Sequence, residues 1–94
     1  MNEYPSNETL DAVKAWNWND CTGLFEFVKQ AWWMPDWGWR EVDGELHVST
    51  GGWSGNEDLI EAMQANVMVW SLCWVQSRRG GHYVFEIWTG KETA

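Results

Sequence analysis

Asp43-Gly44 lies between two segments of alternating character, Trp37-Gly38-Trp39-Arg40-Glu41-Val42 and Glu45-Leu46-His47-Val48-Ser49-Thr50. A two-residue type I′ turn needs positive φ at both central positions, which Gly and, to a lesser degree, Asp tolerate. The pair therefore predicts a β-hairpin. The turn also sets the register, with Glu41 opposite Leu46 and Trp39 opposite Val48. Side chains alternate with period two, so Trp37, Trp39, Leu46 and Val48 share one face, and Arg40, Val42, His47 and Ser49 share the other.

The flanking sequence reads as helices and a second hairpin. Ser6 or Asn7 can cap a helix running to about Trp16, with Leu10 and Val13 inward. Asp20 or Thr22 can cap a second, from Gly23 to Trp32, whose stripe is Leu24, Phe25, Phe27, Val28, Ala31 and Trp32. Pro35 forbids its continuation. After Gly51-Gly52-Trp53-Ser54-Gly55 comes a third helix, with Ser54 and Glu57 spaced as a capping box and Asn66 as its end. Val67–Gln76 reads as a strand, Arg78-Arg79-Gly80-Gly81 as a turn with two central residues, and His82–Trp88 as the partner strand. One face of this hairpin takes Trp70, Leu72, Trp74, Tyr83, Phe85 and Ile87. The other takes Ser71, Cys73, Val75, His82, Val84, Glu86 and Trp88. The expected class is α+β: a four-stranded, mainly antiparallel sheet with helices on one face, in the order α-α-β-β-α-β-β.

Ninety-four residues suit one domain, 1–94, with residues 1–6 frayed. Leu24, Phe27, Val28, Leu46, Val48, Leu72, Trp74, Phe85 and Ile87 are expected to be buried together. Ten Trp are more than so small a core needs, so some should be exposed or at an interface. Residues 1–11 show no basic stretch followed by an apolar run, and no segment reaches the length of a membrane span, so a cytoplasmic location is expected. Cys21 and Cys73 are far apart and lack ligand or CxxC spacing, so both read as reduced thiols.

The net charge of −8 argues against direct nucleic-acid or anionic-membrane binding. Residues 1–61 hold twelve acids against three bases, a net −9, and residues 62–94 hold two acids against three bases, a net +1. The plain reading of that asymmetry is a solvated surface. The functional one is a face that docks on a basic, nucleic-acid-binding partner.

The segments Ser49-Thr50-Gly51-Gly52-Trp53-Ser54-Gly55-Asn56-Glu57 and Ser77-Arg78-Arg79-Gly80-Gly81-His82-Tyr83 resemble a group of small phage- and prophage-encoded proteins. The resemblance spans roughly residues 37–87. It implies a bacterial host cytoplasm and supplies no catalytic residues. By size, charge and origin such proteins are similar to inhibitors of host defence, of the anti-CRISPR or anti-restriction type.

Several residues are candidates for chemistry. His47, His82 and Glu86 fall on the mixed sheet face and suit acid/base or hydrolytic work if the two hairpins adjoin. Solvent-facing histidines are the plainer reading. Cys73 with His82 offers a nucleophile and a base, but nothing local would lower the thiol pKa. Gly51–Gly55 leads into a helix as phosphate-binding loops do, yet it lacks the P-loop lysine and has Glu57 and Asp58 where an anion would sit. Arg78-Arg79 reads as a solvated turn or as a fork for carboxylate or phosphate. Trp53 either tucks into the domain or projects as a contact residue.

No cofactor or metal site is expected. The leading expectation is a non-enzymatic protein that binds a host protein, through Trp53, Ser54, Asn56, Arg78, Arg79, His82, Glu41, Glu45 and Glu61. The alternatives are a small-ligand or carbohydrate-binding module using exposed Trp, and a small hydrolase using His47, His82 and Glu86. Self-association is also open, because Val42, Val75, Val84 and Trp88 would leave apolar area on the mixed face.

Overall fold

A computed structural model describes residues 4–87. The chain runs α1 (Asn7–Lys14), α2 (Cys21–Ala31), α3 (Pro35–Gly38), β1 (Trp39–Val42), β2 (Glu45–Ser49), α4 (Ser54–Ala65), α5 (Val67–Cys73), β3 (Trp74–Arg78) and β4 (His82–Glu86). The strands form one antiparallel sheet in the order β1-β2-β4-β3. This is the α+β class expected, with two short helices, α3 and α5, added to the element order.

The first hairpin follows its turn. Asp43 (φ 52) and Gly44 (φ 83) both take the left-handed region that a type I′ turn requires. Trp39 pairs with Val48 and Glu41 with Leu46. Strand β1 starts two residues later than expected, because Met34 turns the chain (φ 61) and Pro35 opens the single turn α3. Trp37 therefore leaves the sheet face and stands 65% exposed.

Helix α1 is capped by Ser6, whose Oγ accepts from Thr9 N, and α2 by Asp20, whose side chain accepts from Gly23 N. Of residues 1–6, Tyr4 stacks on Trp53 and Ser6 caps α1, while the fraying expected at residues 1–3 lies outside the described residues. The capping box at α4 does not form. Trp53 is the N-cap and makes no side-chain cap, and Glu57 accepts from Thr50 Oγ1 at 3.4 Å instead of reaching Ser54.

The largest departure is at Val67–Cys73, which is helix where a strand was expected. Its apolar run carries no clean period, and buried Asn66 decides the matter. Asn66 Oδ1 accepts from Val69 N at 3.3 Å, starting α5. Its Nδ2 donates to Val13 O and Trp16 O, each at 3.0 Å. One residue thus closes α4 with its backbone N–H, while its side chain begins α5 and ties that junction to the end of α1. Helical spacing then buries Val69 and Cys73 and leaves Leu72 37% exposed.

The second hairpin turns through three residues, 79–81, with Arg78 opposite His82 and a bulge between Trp74 and Gln76. Gly81 (φ 81) lies so close to Thr50 Oγ1 that a Cβ would not fit. Of the expected core, Leu24, Val28, Leu46, Val48 and Phe85 are buried, and Phe27 and Ile87 pack against them. Trp74 is instead 42% exposed, stacked on Trp70 at 5.9 Å. Trp88 lies outside the described residues.

Candidate functional site

The register sorts the sheet into two faces. Trp39, Val48 and Tyr83, with Leu46 and Phe85, look toward the helices and contribute to the core. Phe85 lies 5.5 Å from both Phe25 and Trp70, ring centre to ring centre. The opposite face bears residues outside that cluster, and of the apolar residues expected to be open on it Val84 is instead buried.

Cross-strand pairing arranges the uncovered face in three rows. Val42, Glu45 and Glu86 form the first, Arg40, His47, Val84 and Gln76 the second, and Ser49, His82 and Arg78 the third. The face is therefore acidic at the Asp43-Gly44 end and basic at the Arg79–Gly81 end. Glu45 is directly opposite Glu86, a like-charge pairing that costs stability. His47 Nε2 lies 3.2 Å from Glu45 Oε1. At the basic end, Ser49 Oγ and His82 Nδ1 share a 2.6 Å hydrogen bond. A shallow cleft of about 200 Å³ opens there, lined by His47, Ser49, Arg78 and His82 with Val84 at its floor.

The two hairpins do adjoin, and His47 and His82 sit on diagonal positions of one face. Glu86 does not complete a catalytic set with them. It is diagonal to His47 but four residues along β4 from His82, roughly 13 Å at strand rise. The carboxylate on His47 is Glu45, whereas the hydroxyl is on His82, so no single imidazole joins an acid to a nucleophile. Cys73 is separated from His82 by the sheet itself: it ends α5 inside the core, not mid-strand on the mixed face. Among the described residues no cluster of three His, Cys, Asp or Glu suits a metal ion, and no helix is long and apolar enough to cross a membrane.

The remaining expected contact residues are dispersed. Trp53 is tucked, stacked between Trp33 at 4.7 Å and Tyr4 at 5.0 Å. Asn56 is buried, and its amide is fully used: Oδ1 accepts from Trp33 N at 2.8 Å, and Nδ2 donates to Trp33 O at 3.1 Å and Thr50 O at 3.3 Å. Asn56 offers no surface to a partner, and Trp53 keeps only part of its indole exposed. Ser54 is exposed in the first turn of α4, and Glu61 borders a groove between α1 and α4 with Lys14 and Asp58. Glu41 projects at the acidic end from the other side of the sheet, and Arg79 is exposed in the turn beside Arg78.

Sequence reasoning missed two things. Trp37, not Trp53, is the exposed indole of this region, packed over the Gly51 backbone. The segments 49–57 and 77–83 also meet in space, through the Ser49–His82 bond and through Thr50 N donating to Gly81 O at 3.0 Å. The apposition of Glu45 and Glu86 could have been read only once β2 and β4 were known to pair.

Comparison with protein-family models, with curated proteins and with solved structures gave no match.

Proposed function

We propose that this chain is a non-enzymatic interaction protein whose uncovered sheet face docks on a basic partner protein. The observation that carries the reading is Glu45 directly opposite Glu86 on that face. Like charges placed together at a cost to stability become favourable when a cation bridges them. The exposed Val42 beside them supplies apolar area for the same contact. With the phage resemblance of segments 49–57 and 77–83, the partner is a bacterial host protein of a defence system, basic because it handles nucleic acid. The chain then works as an inhibitor in the host cytoplasm.

The test is capture from bacterial lysate by immobilised protein, comparing the wild type with Glu45→Lys/Glu86→Lys and with Glu61→Lys on α4. A stoichiometric basic partner should be held by the wild type and by Glu61→Lys and lost by the double variant. Equal capture by all three would reject the sheet face as the interface.

A second reading, a carbohydrate- or small-ligand-binding module, draws on Trp37, whose indole is the most exposed of the described tryptophans. A saccharide panel that shifts intrinsic fluorescence in the wild type but not in Trp37→Ala would support it. An unchanged spectrum across the panel would count against it.

A further inference from the structure

Cys21 is the first residue of α2 and Cys73 the last of α5. Their sulfurs lie 3.1 Å apart although 52 residues separate them along the chain. Both side chains are buried in the core as free thiols. Cys73 Sγ donates toward Cys21 Sγ, and Cys21 Sγ donates to Trp18 O at 3.2 Å. A disulfide needs its sulfurs about 2.05 Å apart, so closure asks for an approach of only about 1 Å. Both cysteines sit at helix ends, where small backbone shifts come more easily than in mid-helix. Cys21 follows the loop after α1, and Cys73 leads directly into β3.

We propose that Cys21 and Cys73 form a dithiol site that is reversibly oxidised to an intramolecular disulfide by exchange with a low-molecular-weight disulfide. The thiolate of one cysteine attacks the oxidant's S–S bond. That bond breaks, and half of the oxidant leaves as a thiol. The thiolate of the second cysteine then attacks the protein sulfur of the mixed disulfide, forming the Cys21–Cys73 bond and releasing the other half as a second thiol. The pair gives up two electrons and two protons, and the oxidant takes both. The second step is favoured because the sulfurs are already neighbours.

Burial governs the rate of the first step. The Cys21 thiol is pushed up to about 12, by desolvation first, then by the hydrogen bond and charge of Cys73 and by Asp20. The closed structure therefore holds almost no thiolate there near neutral pH, and exchange runs through local opening at the start of α2 or the end of α5. The site responds to a sustained oxidising poise, and the bond it forms joins α2 to the junction between α5 and the edge strand β3.

The test equilibrates the full chain in glutathione buffers of graded ratio, quenches with acid, alkylates in denaturant and weighs the products. The expected result is one transition from a doubly alkylated dithiol to an unalkylated protein lighter by two hydrogens, about 2 Da, with only a minor glutathione adduct. The oxidised form should melt about 8 °C or more above the reduced form. Cys73→Ser should show neither change. Thiols that stay alkylatable in the most oxidising buffer, a stable glutathione adduct, a disulfide-linked dimer, or an oxidised form that melts no higher would each overturn the assignment.

Discussion

Glu45 and Glu86 face each other directly across the β2–β4 ladder, on the side of the sheet away from the core. Replacing Glu86 by Gln removes their repulsion and should raise stability by a few tenths to about 1 kcal/mol at low salt. The gain should shrink in about 0.5 M salt, where exposed charges are screened within a few ångströms. Urea melts at the two salt levels check this. A loss of stability at low salt would mean that Glu86 makes a favourable contact on this face.

Phe85 is 1% exposed and is the aromatic centre of the contact between sheet and helices. Phe85→Ala should cost about 3–5 kcal/mol, much of what a small domain holds. Trp74→Ala, at a half-open position on the same face, should cost clearly less. Chemical denaturation of both variants tests the order, and an equal cost would show that the edge strand is as tightly packed as the centre of the sheet.

Asn66→Ala should cost about 2–4 kcal/mol. It strips Trp16 O of its side-chain donor, removes one of the donors to Val13 O and leaves α5 without its cap. Far-ultraviolet dichroism during the melt should show loss of helix. A change within about 0.5 kcal/mol of zero, the usual range for surface substitutions, would contradict this account of α5.

The first hairpin was legible because its turn dictates its register through local backbone chemistry at Asp43 and Gly44. The second was legible as a hairpin and in the faces of β4, but not in its register, because three turn residues and a bulge beside Val75 broke the simple alternation on β3. Val67–Cys73 misled because a continuous apolar run suits a buried strand and a buried helix equally. What distinguished them was Asn66 reaching Val13 and Trp16, a contact over about fifty residues of chain. The site was half legible. His47, His82 and Glu45 were placed on the right elements, whereas Arg78, read as turn, ends β3, and their grouping depended on β2 pairing with β4. Asn56 looked like a loop contact and proved to be buried, Trp53 proved to be stacked between Trp33 and Tyr4, and the Cys21–Cys73 contact has no local signal at all.

Burial of Cys21 sets an alkaline limit on stability. Its thiol titrates near 12 in the folded chain against an ordinary 9.0, so the folded state keeps a proton that the unfolded state loses. Stability is fully present below pH 9 and falls as pH rises from 9 toward 12. The wild type should therefore lose stability more steeply over that window than Cys21→Ala. Parallel slopes in reducing buffer would contradict the burial account.

The most direct measurement of the proposed interface is capture of lysate proteins by the immobilised chain across a salt series from about 0.05 to 0.5 M, where the screening length shrinks severalfold. The account predicts a basic protein held stoichiometrically by the wild type at low salt, released as salt rises, and never held by Glu45→Lys/Glu86→Lys even though that variant is folded. Capture that ignores salt, or that survives the double charge reversal, would contradict it.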